Sequence, residues 1–195
     1  MKKIVVFLLP VLLIIACNDK EIVIQPLPTH PQMKYTDMNN LSIQFGQHKT
    51  LNMDGDHTDD LLFSTMLVGD PIFRVDKRKY FVSAAFDVFL LINGGEETPA
   101  LNAGDAITIQ NHPGYNWFNA NSPVLAEKII EENGPDHWEG NWKNADHKYL
   151  PVQVRKNNLR YNGWVELSFN TGSGELILHR AAISLEAGKT VKAGQ

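Results

Sequence analysis

A single cysteine, Cys17, is the whole thiol inventory of this 195-residue chain, which excludes an intrachain disulfide and any cysteine cage for zinc. No apolar run reaches the about 20 residues that a helix needs to cross a hydrocarbon core. Positive charge is also short: 18 basic residues face 22 acidic ones, a formal charge of −4, and this argues against nucleic acid or anionic lipid as a partner. Catalytic signatures are missing as well. The chain has no HExxH spacing among its histidines (His30, His48, His57, His112, His137, His147 and His179) and no GxSxG elbow, and Ser173 stands in "GSG" instead. The adjacent acids Glu96-Glu97 and Glu131-Glu132 make poor acid/base pairs, because neighbours on a strand or a helix point apart.

What the chain does have begins at its first residues, "MKKIVVFLLPVLLIIACNDK". Lys2 and Lys3 form a basic start, Ile4 to Ala16 an apolar stretch of about a dozen residues, and polar residues follow directly. This predicts a secretory signal over residues 1–16 rather than a membrane span. The four residues "IIAC", Ile14 to Cys17, resemble the lipobox of bacterial lipoproteins. The resemblance implies cleavage before Cys17, lipid on its thiol and an acyl chain such as palmitate on the new amino terminus, the alternative being an ordinary cleaved signal. Several chains on one residue are what makes such an anchor lasting, since each buried methylene contributes only about 0.8 kcal/mol. Cleavage would take two of the 18 basic residues and no acid, moving the formal charge from −4 to −6. Asp19, Lys20 and Glu21 are similar to the short charged signal that sends some lipoproteins to the outer face of the outer membrane. The expected location is therefore the cell envelope, on the outer membrane and surface-exposed.

Pro26, Pro28 and Pro31 make residues 17–33 an expected semi-rigid tether. Residues 34–195 are expected to form one all-β domain, a jelly-roll-like β-sandwich with one short helix. The strand signals are short β-branched or aromatic runs: "SIQFGQ", "KYFVSAAFDVFLLI", "AITIQ", "LPVQVRK", "GWVELSF" and "ELILHRAAISL". Glycines in "INGGEE" and "NTGSGE" suit tight turns. The helix is predicted at "SPVLAEKIIEENG", with Ser122 as N-cap, Pro123 in the first turn, Gly134 at the end, and Leu125, Ala126, Ile129 and Ile130 as its apolar face.

The densest polar stretch is "LNMDGDHTDDLLF", Leu51 to Phe63. Counting from Asn52, oxygen-bearing side chains recur at Asn52, Asp54, Asp56 and Asp60, and Thr58 can offer its carbonyl. That is calcium-loop spacing, since the hard Ca2+ ion takes six to eight oxygens. It is not an EF-hand, because His57 and Phe63 occupy the positions of the turn glycine and the bidentate glutamate. The competing reading is a two-residue hairpin turn at Asp54-Gly55 with the other aspartates solvated.

Trp138 and Trp142 in "HWEGNW", with Tyr115, Trp117 and Phe118 in "GYNWFN", are candidates for stacking on sugar rings, against the commoner role of core packing. The aspartate-rich stretch Asn52 to Asp60, together with Tyr149 to Val154, Tyr161 to Phe169 and Leu178 to Ala182, resembles a group of secreted bacterial β-sandwich proteins. These carry an early "DxDGDxxDD" and a late "YLGVRF…YYGWVRLSV…DYAY" pattern. The resemblance implies a sandwich but no activity. The sequence thus points to a lipid-anchored envelope domain with a binding or structural role, calcium-stabilised, with the membrane and a polysaccharide or envelope protein as partners. A glycan-binding accessory protein and a carbohydrate-active enzyme are the alternatives.

Overall fold

The computed structural model describes residues 30–195. The expected signal, the lipid on Cys17 and nearly all of the tether lie outside the described residues. The described chain is all-β, with thirteen strands and no helix among the described residues: β1 (Met33–Gln44), β2 (Lys49–Leu51), β3 (Leu61–Asp70), β4 (Val75–Ala84), β5 (Val88–Ile92), β6 (Ala106–Ile107), β7 (Asn116–Phe118), β8 (Val124–Glu131), β9 (His137–Glu139), β10 (Lys148–Lys156), β11 (Leu159–Asn170), β12 (Glu175–Ser184) and β13 (Val191–Lys192). One sheet runs β1-β12-β11-β10-β5-β7 and a second β2-β3-β4-β8-β9, while β6 and β13 form a small ribbon.

The two large sheets pack face to face as a sandwich, and the period of two along each strand decides which side chains enter it. On β11, Val165, Leu167 and Phe169 point into the main core with Phe63, Tyr80, Val82, Leu90, Leu125, Leu150 and Trp142. The alternate residues Trp164, Glu166 and Ser168 lie on the outer face. Part of that outer face is covered by the β6–β13 ribbon over a satellite core of Leu101, Ile107, Tyr149, Trp164, Ala182, Val191 and Ala193. The rest of it stays polar.

The helix predicted at residues 122–134 is instead strand β8, paired antiparallel with β4. The cause is a β-bulge. The register steps from Tyr80↔Ala126 to Phe81↔Val124, so Leu125 is an extra residue and both it and Ala126 face the core, fully buried. Two adjacent buried apolar residues mimic a helical face, and Ser122 at φ 66° is no N-cap. The expected long strand Lys79 to Ile92 is split into β4 and β5 by a turn at Ala85–Asp87. In "INGGEE" the left-handed residue is Glu96, at φ 60°, rather than a glycine, because the Asn93 side chain accepts the Gly95 and Glu97 N–H groups and fixes the turn.

Candidate functional site

The aspartate-rich stretch is the loop between β2 and β3, closed by the pair Leu51↔Leu61. The strands end at Leu51 and resume at Leu61, so the two-residue hairpin at Asp54-Gly55 is not formed. The side chains cap the loop's own backbone instead. Asn52 accepts the Gly55 N–H at 2.6 Å, Asp54 accepts that of Asp56 at 3.0 Å, and Asp56 that of Thr58 at 2.8 Å. Asp60, buried at the loop's exit, accepts the Met53 N–H at 2.7 Å. Burial, aided by the charges of Asp54 and Asp56, pushes the Asp60 carboxyl up to about 6. The Lys156 ammonium stands 2.6 Å from Asp54 Oδ2 without a well-aligned hydrogen bond. Among the described residues no three His, Cys, Asp or Glu side chains already converge as a metal cage.

The two tryptophans proposed to meet a glycan part company. Trp142 is fully buried in the main core, where its Nε1 donates to Thr98 Oγ1 at 2.8 Å, so it cannot stack on a ligand. Trp138, on β9, is half-buried and lies at one end of the sandwich, in a depression of about 420 Å³. Its other walls include Phe45, Arg78, Tyr80, Lys128 and the β11–β12 turn. Trp138 rests edge-on against Phe169 with ring centroids 5.0 Å apart, and Arg78 covers the Phe45 ring at 5.1 Å. An aromatic floor under polar and cationic rims results. Of the other aromatics, Trp117 is held in place by its Nε1 bonds to the Thr108 and Gln110 carbonyls.

A second polar group was not legible in the sequence. On the uncovered outer face of the six-stranded sheet, Glu166 and Ser168 of β11 meet His179 and Arg180 of β12, His147 just before β10, and Asn40 of β1. Bulges assemble them. Between the pairs Glu166↔Arg180 and Leu167↔Leu178, β12 carries His179 as an extra residue, so His179 and Arg180 both face outward. Opposite it, β1 carries Met38, Asn39 and Asn40 between Asp37 and Leu41, with Asn39 and Asn40 each at φ 54°. Glu166, its side chain only 7% exposed, accepts from Arg180 Nε at 2.5 Å and lies 2.6 Å from His147 Nδ1. Burial alone would raise the Glu166 carboxyl, but the bonds from Arg180 and His147 overcome it and hold it below its ordinary value. His147 and His179 stack with centroids 4.1 Å apart. Burial, then the neighbouring His147, lowers the His179 imidazole. His179 joins Ser168 Oγ through Nε2 at 2.8 Å and Asn40 Oδ1 through Nδ1 at 2.6 Å.

Comparison of the chain with protein-family models, with curated proteins and with solved structures finds no match.

Proposed function

We propose that the protein is a lipid-anchored cell-envelope domain that binds a saccharide in the depression around Trp138. The observation that carries this reading is the pairing of a partly exposed indole with Phe45 and Arg78 in an open hollow of about 420 Å³. A sugar ring presents apolar C–H faces to an aromatic floor and hydroxyls to a polar rim, and Gln44, Arg78, Lys128, Thr171 and Ser173 supply that rim. Arg78 and Lys128 favour an acidic sugar, although Lys128 is already 2.7 Å from Asp136. The leader and the "IIAC" stretch support the anchor on Cys17.

The test is a titration of the mature protein with a panel of neutral and acidic polysaccharides, following indole fluorescence. Binding that Trp138→Ala weakens at least tenfold, about 1.4 kcal/mol, is the expected result. Silence across the panel would discard the saccharide. In cells, Cys17→Ser is expected to release the protein from the membrane fraction, and retention would discard the anchor.

Calcium in the β2–β3 loop belongs to the same proposal. Asn52, Asp54, Asp56, Thr58 and Asp60 would hold the ion, which would supply the charge now drawn from Lys156. What supports this is the spacing of the oxygens, with the charges of Asp54 and Asp56 adding to the burial that raises Asp60. An ion that binds only the folded state raises stability by mass action. Thermal unfolding is therefore expected to shift upward by several degrees when calcium replaces EDTA. Asp56→Ala should abolish the shift, since Asp56 is exposed and its loss spares the buried Asp60 bonds. An unchanged midpoint would make the stretch a self-capped loop.

A further inference from the structure

We propose that Ser168, His179 and Asn40 form an acyl-transfer centre that hydrolyses small esters, with Ser168 as nucleophile, His179 as general base and Asn40 as the residue that positions it. This site adjoins the Trp138 depression across Thr171, which lines both hollows, but shares none of its three residues with it and does not depend on the saccharide reading.

The argument starts from hydrogen-bond direction. A carbonyl oxygen only accepts, so Asn40 Oδ1 at 2.6 Å requires the proton of His179 to sit on Nδ1. Nε2 then presents its lone pair to Ser168 Oγ, 2.8 Å away, and takes the hydroxyl proton in its bond. A nucleophile, a base within hydrogen-bond reach, and a third group that fixes the base's tautomer are the three parts such a centre needs. The competing acceptor for the hydroxyl, Asp146 Oδ1, is 3.5 Å away and too long to hold it. Access comes from a depression of about 440 Å³ lined by Asn144, Asp146, His147, Ser168, Thr171 and His179. A second hollow of about 400 Å³ lies on the other side of His147 and His179, bounded by Tyr35, Asn40, Glu166 and Arg180. The main-chain N–H of His147 donates to Ser168 Oγ at 2.9 Å and so fixes the direction in which the hydroxyl faces His179. Left-handed Asn40 and the extra residue His179 are local costs of this arrangement. Strain and bulges of that kind gather where a side chain must be re-aimed.

In the reaction, Oγ bonds to the ester carbonyl carbon as its proton passes to Nε2. The tetrahedral intermediate then expels the alcohol, whose oxygen takes that proton from His179. Water attacks the acyl-serine, again giving a proton to Nε2, and the acyl group leaves as the carboxylic acid while Oγ recovers its proton. Water is the one co-reactant, and no oxidant or metal is consumed.

The test uses the mature full chain with a fluorophosphonate, which phosphonylates an activated serine, and with p-nitrophenyl acetate as the ester. The expected result is one label per chain, mapped to the peptide carrying Ser168, together with ester turnover. Ser168→Ala is expected to abolish the label, and His179→Gln to lower turnover at least about 100-fold. Asn40→Gly keeps the left-handed backbone but loses the oxygen, so kcat should fall with KM unchanged, whereas Asn40→Asp should restore it. The proposal is overturned if the wild-type protein takes no label at Ser168, or if folded Ser168→Ala turns over the ester as fast as wild type. Should Ser168→Ala fail to fold, mapping the wild-type label decides alone.

Discussion

Trp142→Ala is expected to lose about 3–5 kcal/mol of folding stability, the range for emptying a large aromatic from a packed core, read as a lower midpoint in urea. Three observations set that size. The side chain has no exposed surface and sits among Leu125, Leu150 and Val165. Its indole N–H satisfies the hydroxyl of Thr98, itself fully buried, so truncation also strands a polar group, which accounts for about 1–3 kcal/mol of that loss. Its backbone N–H bonds the Leu125 carbonyl at 3.1 Å, which ties the loop after β9 to the bulge of β8. Gly140 makes that approach possible, since at φ 100° a Cβ would stand 2.6 Å from the Leu125 oxygen.

The consequence reaches the polar face. The loop anchored by Trp142 continues through Ala145, whose carbonyl accepts the Phe169 N–H at 2.8 Å, to His147, itself left-handed at φ 46°. Loosening the anchor is expected to free His147 from Glu166 and Ser168 even where the sheets remain intact. Trp142→Phe separates the two contributions, because it refills most of the volume and leaves Thr98 unpaired. Its expected loss is about 1–3 kcal/mol, and a loss equal to that of Trp142→Ala would show that the hydrogen bond, not the volume, holds the loop.

How far the sequence could be read follows from what kind of signal each feature leaves. Strands β10, β11 and β12 are β-branched or aromatic runs between turn residues, so their existence is visible in the letters, as is the Gly174 turn, observed at φ 69°. Strand β8 was hidden because one bulge residue, Leu125, turned a period of two into a pattern that also fits 3.6. The polar face was hidden for the same reason. Asn40, His147, Ser168 and His179 are scattered along the chain, and two of them sit on the outer face only through bulges, which no fixed spacing encodes. One hint was present: "VELSF" places Glu166 and Ser168 two apart on a strand whose flanking positions are all apolar. Polar residues repeated on one face of an otherwise buried strand call for partners, and here the partners come from three neighbouring segments. Trp142 stands open in the sequence between a sugar platform and core packing, since the letters do not tell one from the other, and its burial decides for packing.

Glu166→Gln is expected to destabilise the fold by about 1–3 kcal/mol at pH 7, and the loss should vanish on the acid side. The carboxylate is nearly buried yet held ionised by Arg180 and His147, so its folded pKa lies below the unfolded value, ordinarily 4.5. A group shifted in that direction contributes stability above its unfolded pKa, and the contribution is lost as pH falls through the folded value. Wild type and Glu166→Gln should therefore differ most at neutral pH and draw together only as pH falls below 4.5 and through the lowered folded value, as followed by urea unfolding across the pH range. Because Arg180 is 44% exposed, water screens part of the pair, which keeps the expectation below the 3–5 kcal/mol of a fully buried ion pair. His179 adds a separate step with the same sign. Its imidazole is held neutral in the fold, lowered from 6.5 by burial and by His147, with Glu166 and Asp146 opposing and Arg180 assisting. The unfolded chain then takes up a proton first, and stability declines once pH drops below about 6.5. His179→Gln should remove that earlier step and leave the carboxylate step in place. A difference between wild type and Glu166→Gln that stayed constant from pH 7 to 3.5 would show that packing, and not charge, is what Glu166 supplies to the outer face.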